Sequence, residues 1–474
     1  MAHRSGESRQ QAALFPVMLD ELVSPDAVVR VIDAWIGALP LTDLGFAKCI
    51  PQRMGAPPYD PADLLRLYLW GYLNAVRSSR ALERECHRNV ECMWLLGRLA
   101  PDHKTIAEFR RGNLQALVAT SAAFVQFARS QRLIASATVA IDGSKVQAVA
   151  SRKAIVGPRS LAEQAQRNAQ EIERYLALLE EADRQDASTS GQAVRVRKAL
   201  AQLKSEGQAI ADQAKVLAAS GRTMQVTTEP EAQVMRSLNG APGYNLQTAV
   251  EAGSHLIVAH TVCTDASDQR QLQPMAEAAR DVLQTPCTVV ADAGYANGTQ
   301  IAAVQAQGMV CYVPANRSVN PHGGGQLYGR DAFTYQPEHD RFECPAGELL
   351  KRKQVMRKSC MVIYAASVEA CAGCAQKPSC TEAPRRFVSR HIHEDALQAT
   401  VEQMRTQPQM MALRRRTVEH PFACIKHRIL GNARLLMRGL EGARGELSLA
   451  VLAYNFKRVF NMKGPAWMRQ VLQG

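Results

Sequence analysis

Residues 138–144 read TVAIDGS. Val139, Ala140 and Ile141 run up to Asp142, and Gly143 follows. The pattern predicts a buried strand that ends in a carboxylate. Residues 288–294, TVVADAG, repeat it, with Asp292 as the carboxylate. Asp-Gly and Asp-Ala-Gly are also ordinary turn chemistry, so each aspartate taken alone is compatible with a strand that simply turns. Two such strands side by side would bring two carboxylates to neighbouring tips, which is costly unless cations fill the space between them.

A third acidic residue lies in residues 414–430, RRRTVEHPFACIKHRIL. Val418, Phe422, Ile425 and Ile429 recur at helical spacing and form one apolar stripe. Glu419 sits at the edge of that stripe, with Arg415 one turn before it and Lys426 two turns after. Pro421 either starts a helix, with Glu419 in its first turn, or kinks a longer one. An ordinary Arg–Glu pair on a helix surface would look the same.

The spacing Arg415-x3-Glu419-x6-Lys426 resembles the glutamate signature of DDE transposases of bacterial insertion sequences. Asp142 and Asp292, in AIDGSKVQAVAS and VVADAGYANG, resemble that family's two aspartates. So do the stretches at residues 101–111 (PDHKTIAEFRR), 243–250 (GYNLQTAV), 267–275 (SDQRQLQPM) and 448–459 (SLAVLAYNFKRV). The family signature often carries a Tyr three residues before the Arg, a position held here by Ala412. The resemblance implies a ribonuclease H-like core and phosphodiester chemistry on two magnesium or manganese ions. Asp142, Asp292 and Glu419 would be the catalytic ligands. It also implies Arg415 and Lys426 at the phosphates of the scissile strand, double-stranded DNA (element ends and target) as partner, and a homodimer or higher oligomer on DNA. A ribonuclease H-like nuclease without strand transfer, and a non-catalytic DNA-binding derivative, are the competing classes.

Composition agrees with a polyanionic partner. The 474 residues are 46% hydrophobic, enough for more than one domain, and the net charge is +13 with pI about 9.3. No run of some eighteen apolar residues reads as a membrane span, and residues 1–10 lack a signal-peptide pattern. Twelve scattered cysteines suit a reducing compartment. The expectation is a cytoplasmic protein that joins the nucleoid when bound to DNA.

In chain order, residues 1–131 read as an all-helical, basic, DNA-binding module, with residues 1–11 expected to be disordered. Asp60-Pro61 starts an apolar helix, and Thr105 with Glu108 forms a capping box. Arg77, Arg80, Arg84 and Arg88 fall on one helical face, either a phosphate-binding stripe or a solvated face laced with Glu83 and Glu85. Residues 132–464 read as the catalytic core, a mixed α/β sheet flanked by helices with the order β-β-insert-β-β-α-β-α-β. KVQAVAS after Asp142 is expected to be a separate strand. Asp265 and Asp268 read as turn or capping residues, with a role in metal or DNA handling as the alternative.

Two inserts interrupt the core. Residues 156–226 read as a helical hairpin broken by a loop at 186–191. Residues 315–395 are rich in Gly, Pro, Arg and Cys and read as a polar loop region, basic at Lys351, Arg352, Lys353, Arg385 and Arg386. Cys371-x2-Cys374 with Cys380 and Cys344 is compatible with a zinc site, with Cys360 as an alternative ligand, and equally with reduced thiols.

Overall fold

The structure, a computed structural model, describes residues 18–50, 57–184, 191–314 and 327–473. Residues 1–11, most of the 186–191 loop and the first residues of the Cys-rich insert lie outside the described residues. Among the described residues no helix is long and apolar enough to cross a membrane.

The chain opens with α1 (Val28–Gly37), α2 (Pro61–Leu73), α3 (Ser79–Arg88), α4 (Val90–Leu95), α5 (His103–Gly112) and α6 (Leu114–Ser130). Asp60 caps α2, accepting from the Ala62 N–H at 2.8 Å, with Pro61 at the first helical position. The Thr105–Glu108 capping box does not form. Helix α5 starts two residues earlier, and Asp102 is its cap, accepting from the Thr105 N–H at 2.7 Å.

The central sheet holds β1 (Thr138–Gln147), β2 (Ala241–Glu251), β3 (Ile257–Cys263), β4 (Thr288–Val290) and β5 (Val310–Tyr312) in the order β3-β2-β1-β4-β5. A short strand, Gln233–Met235, adds to the start of β2. β1–β2 and β2–β3 are antiparallel, while β1–β4 and β4–β5 are parallel. After a helical pair, α7 (Pro158–Arg184) and α8 (Gly191–Ser220), α9 (Leu272–Leu283) leads from β3 into β4 and α10 (Gly298–Gln305) connects β4 to β5. This is a ribonuclease H-like core.

Residue parity along β1 assigns its two faces. Val139 and Ile141 pack with Leu272, Met275 and Ile301 on the α9–α10 side. Ala140 and Val146 pack with Leu447, Val451 and Phe456 of the last helix, α13 (Gly439–Gln473). On that helix Leu447, Val451 and Val459 recur at helical spacing, and its apolar face covers the sheet. Its Asn455 side chain accepts from Ile257 N–H and donates to Ile257 C=O, each at 2.9 Å, which pins it to the start of β3. Gly464, at φ 78°, breaks it.

The same hydrophobic cluster continues into the N-terminal helices. Phe124 of α6 lies between Trp35 of α1, at 5.2 Å, and Phe456 of α13, at 5.6 Å. The helices of residues 18–131 thus share their core with the chain's C-terminal helix.

KVQAVAS is not a second strand. β1 runs unbroken through Asp142 because β2 pairs it from Val139↔Glu251 to Gln147↔Gly243. Gly143 is there for close packing and makes no turn: a Cβ would stand 2.2 Å from Gln247 Nε2 and 2.6 Å from Asp268 Oδ1.

The first insert is the expected helical hairpin, α7 (Pro158–Arg184) and α8 (Gly191–Ser220), closed at its base by Val156, Leu161 and Leu217. The second is not a loop. It forms a five-stranded antiparallel meander, β6 (Thr334–Gln336), β7 (Arg341–Glu343), β8 (Leu349–Met356), β9 (Met361–Ala365) and β10 (Phe387–His391). Its core is made by Phe333, Phe342, Leu350, Val362, Tyr364 and Val388. Alternation of these residues with charged ones, as in Arg341-Phe342-Glu343, is the strand period that overall polarity hides. Two further helices, α11 (Glu394–Thr406) and α12 (Gln409–Ala423), return the chain to the sheet.

Candidate active site

Parallel pairing of Ala140 with Val290 puts Asp142 and Asp292 two residues beyond the same register pair. β4 ends there, so the two carboxylates stand at one level of the sheet, with no third strand between them. Asp142 is therefore mid-strand in β1 yet beside the tip of β4.

One guanidinium joins them. Arg414 Nη2, on α12, lies 2.8 Å from Asp142 Oδ1 and 3.1 Å from Asp292 Oδ2. Each carboxylate is also held locally: Asp142 Oδ1 accepts from the Gly143 N–H and Asp292 Oδ1 from the Gly294 N–H, both at 2.8 Å. Burial pushes the Asp142 carboxyl up to about 6. Arg414 and the Gly143 N–H oppose that rise, and Asp292 and Asp268 add to it.

Glu419 lies on α12 as expected, but its carboxylate is exposed and makes no hydrogen bond or ion pair among the described residues. No three His, Cys, Asp or Glu side chains among the described residues stand close enough together to hold a metal ion. The structure thus brings Asp142 and Asp292 together and leaves Glu419 apart. Pro421 neither starts α12 nor ends it; the helix continues through it into a π-helical turn, Cys424–Ile429. That turn carries Lys426 to the site. Burial lowers the Lys426 ammonium pKa, against the pull of Asp142, and Lys145 lowers it further. Arg415 points away, exposed and unpartnered among the described residues.

Behind Asp142, on the α9 face, lies a polar network that sequence reading missed. Asp268 Oδ1 accepts from Lys145 Nζ at 2.7 Å, Asn245 Nδ2 at 2.7 Å and Gln247 Nε2 at 2.6 Å. Tyr295, just past Asp292, donates to Gln247 Oε1 at 2.5 Å. Asp268 does open a turn, its C=O accepting from the Gln271 N–H at 2.9 Å, and its side chain is also the acceptor that satisfies three donors on β1 and β2. The available signal was the pair of amides, Asn245 and Gln247, two apart and so on one face of the strand.

The arginines expected on one face separate. Arg77 precedes α3 and is buried. It donates to Glu446 Oε1 at 2.8 Å and to the carbonyls of Leu430 and Arg434 at 2.5 and 3.0 Å. A guanidinium so enclosed is not presented to DNA; it ties the N-terminal helices to α13. Arg80 and Arg84 are exposed, and Arg88 pairs with Glu85.

In the second insert, Cys344, Cys371, Cys374 and Cys380 line one cavity of about 20 Å³, and none is in a disulfide. Burial raises the Cys380 thiol pKa, and the other three cysteines add to it. The Glu348 N–H donates to Cys344 Sγ at 3.3 Å. Arg386 is structural: it donates to the carbonyls of Cys380 and Tyr328 and stacks on Phe333.

The Transposase DDE domain family matches residues 214–456, a little over half of the 474-residue chain, and the Transposase domain (DUF772) matches residues 17–112. No curated protein and no solved structure matches the chain. The first match takes in β2 to β5, Asp292 and the whole of α12, the elements packed around the aspartate pair, and on that ground the chain belongs to the DDE transposase family.

Proposed function

We propose that the protein binds the ends of its insertion sequence, cleaves the DNA there and joins the freed 3′-hydroxyls to target DNA, acting as a dimer or higher oligomer. The observation that carries this reading is the pair Asp142 and Asp292, two carboxylates sharing one cationic partner where β4 ends beside β1. The Arg414 nitrogen is a stand-in cation between oxygen donors of the kind magnesium and manganese take. Asp142, Asp292 and Glu419 would hold two such ions, with Glu419 joining the pair from α12. Bound there, the ions lower the pKa of water and neutralise charge on the phosphodiester.

Cleavage forms a bond from a water oxygen to phosphorus and breaks the P–O3′ bond; the 3′ oxygen leaves and takes a proton. Joining uses that 3′-hydroxyl as nucleophile on a target phosphodiester: a new O3′–P bond forms, the target strand's own P–O3′ bond breaks, its 3′ oxygen leaves and takes a proton, and the proton of the attacking hydroxyl passes to solvent. Lys426, beside Asp142, contacts a non-bridging oxygen of the scissile phosphate. Arg415, Arg80 and Arg84, exposed and uncommitted, bind backbone phosphates farther along the duplex. For Cys344, Cys371, Cys374 and Cys380 the reading is a structural zinc ion, supported by four thiols from three chain segments around one small cavity; the sulfurs must close on it to ligate.

The test uses the full-length protein with duplexes tiled across the DNA that flanks its gene, in magnesium. Cleaved and joined products are expected. Asp142→Ala, Asp292→Ala or Glu419→Ala should each lower cleavage by about a hundredfold or more, beyond the loss typical of outer-shell changes, with duplex binding retained. Full cleavage by Asp142→Ala ends the assignment, and cleavage without joining makes the protein a nuclease. Near-stoichiometric zinc, lost on Cys371→Ser, supports the zinc site; a zinc-free protein whose digestion pattern ignores chelators removes it.

A further inference from the structure

Arg414 is held by the two aspartates and by little else. Its side chain is 13% exposed, its Nε is buried without a hydrogen-bond partner, and the described ion pairs of the guanidinium are those to Asp142 and Asp292. An arginine cannot shed its charge, so it leaves two carboxylates only if another anion receives it. The next two residues on α12, Arg415 and Arg416, are exposed and unpartnered among the described residues. A phosphate backbone attracted to them arrives beside the one arginine of the run that is turned inward. Phosphate also matches the planar donor fork better than a single shared nitrogen matches two carboxylates.

We propose that Arg414 competes with divalent ions for the Asp142–Asp292 pair and that a DNA phosphate draws it off, so that metal loading and end binding are coupled. Free of DNA, the protein keeps its acidic pair neutralised internally and binds metal weakly. With DNA seated, Arg414 moves to the phosphate and the pair is open to metal. The coupling is reciprocal, because metal must tighten DNA binding by the factor with which DNA tightens metal binding. The inference rests on the reading of Asp142 and Asp292 as metal ligands.

The experiment is manganese binding to the full-length protein by calorimetry, with and without the flanking duplexes. In the wild-type protein, duplex should raise manganese affinity by about 5- to 150-fold, the usual range of coupling between two sites. Arg414→Gln should raise the DNA-free affinity by a similar factor and abolish most of the further gain from duplex. The wild-type comparison needs no variant, so it stands even if Arg414→Gln fails to fold; no gain from duplex there overturns the proposal. An unchanged or weaker DNA-free affinity in a folded Arg414→Gln protein also overturns it, as does an equal gain from duplex in both proteins. Asp142→Asn separates the two readings. If it removes manganese binding while Arg414→Gln changes nothing, the competition alone is wrong; if it leaves manganese binding intact, the metal-ligand reading fails as well.

Discussion

Strand β2 of the core sheet is buried along all eleven of its residues, whereas β8 of the insert, eight residues long, buries Leu350 and exposes the six residues that follow. β2 lies between two helical layers, α13 on one side and α9 on the other, so it has no solvent face to which polar groups could turn. Its Asn245, Gln247, Thr248 and Glu251 are nevertheless buried, and each has a partner. β8 belongs to a sheet built around a handful of apolar residues, and its Lys351, Arg352 and Lys353 are exposed. The difference teaches where rigid chemistry can be placed. Carboxylates next to fully bonded, twice-covered strands are held in position; a strand whose side chains are mostly exposed has few contacts to fix them.

The largest effect expected from breaking this comparison comes from Glu446, which is buried against Arg77 and also accepts from the Leu436 and Met437 N–H groups at 2.8 and 3.0 Å. Glu446→Leu leaves the Arg77 charge unpaired in the shared core and should cost about 3–5 kcal/mol. Chemical denaturation should show the N-terminal helices and the central sheet unfolding together at lower denaturant; a transition confined to the N-terminal helices would mean that the two do not share a core.

A local effect of similar size is expected in the insert. Phe342 packs at a tilt against Tyr335 and edge-to-face with Tyr364, each at a centroid distance of 5.0 Å. Phe342→Ala should cost the meander about 3–5 kcal/mol and expose residues 334–391 to hydrogen exchange and protease, while exchange in β1 and β2 stays unchanged. Equal loss of protection in both sheets would abolish the contrast drawn above.

The smallest effect concerns surface charge. Arg80→Ala with Arg84→Ala should change stability by no more than about 0.5 kcal/mol, because neither side chain has a partner among the described residues. Duplex binding should weaken, and its salt dependence should fall by about one slope unit per lost contact. An unchanged salt slope would remove both arginines from the DNA-binding surface and leave the basic strand β8 as the next place to look.

Much of the fold was legible before any coordinates. The runs around Asp142 and Asp292, the Asp60-Pro61 helix start, the helical hairpin and the covering helix at 447–459 carry strong local patterns, and local patterns are what periodicity reports. The failures have a common form. Asp-Gly after an apolar run is turn chemistry in isolation, but pairing with an eleven-residue neighbour carries β1 straight through it. The cap expected at Thr105 lost to Asp102, a better capping residue three positions earlier. The insert was read from its composition, which averages over the alternation that makes its strands.

For the candidate site, the sequence by itself determined which residue types stand where along the chain: two aspartates after apolar runs, a glutamate with basic neighbours on a helix, and five cysteines in one insert. Tertiary structure alone decided who meets whom. It buried Arg77 against a glutamate 369 residues away while leaving Arg80 and Arg84 outside, and it aimed Arg414, not Arg415, at the aspartates. It also made Asp268 the acceptor behind Asp142. The reason is physical. Helical and strand periods encode the direction of a side chain relative to its own element, so they predict that a residue faces inward. The charge it finds there belongs to a distant segment, and only the packing of elements brings that segment within hydrogen-bond range.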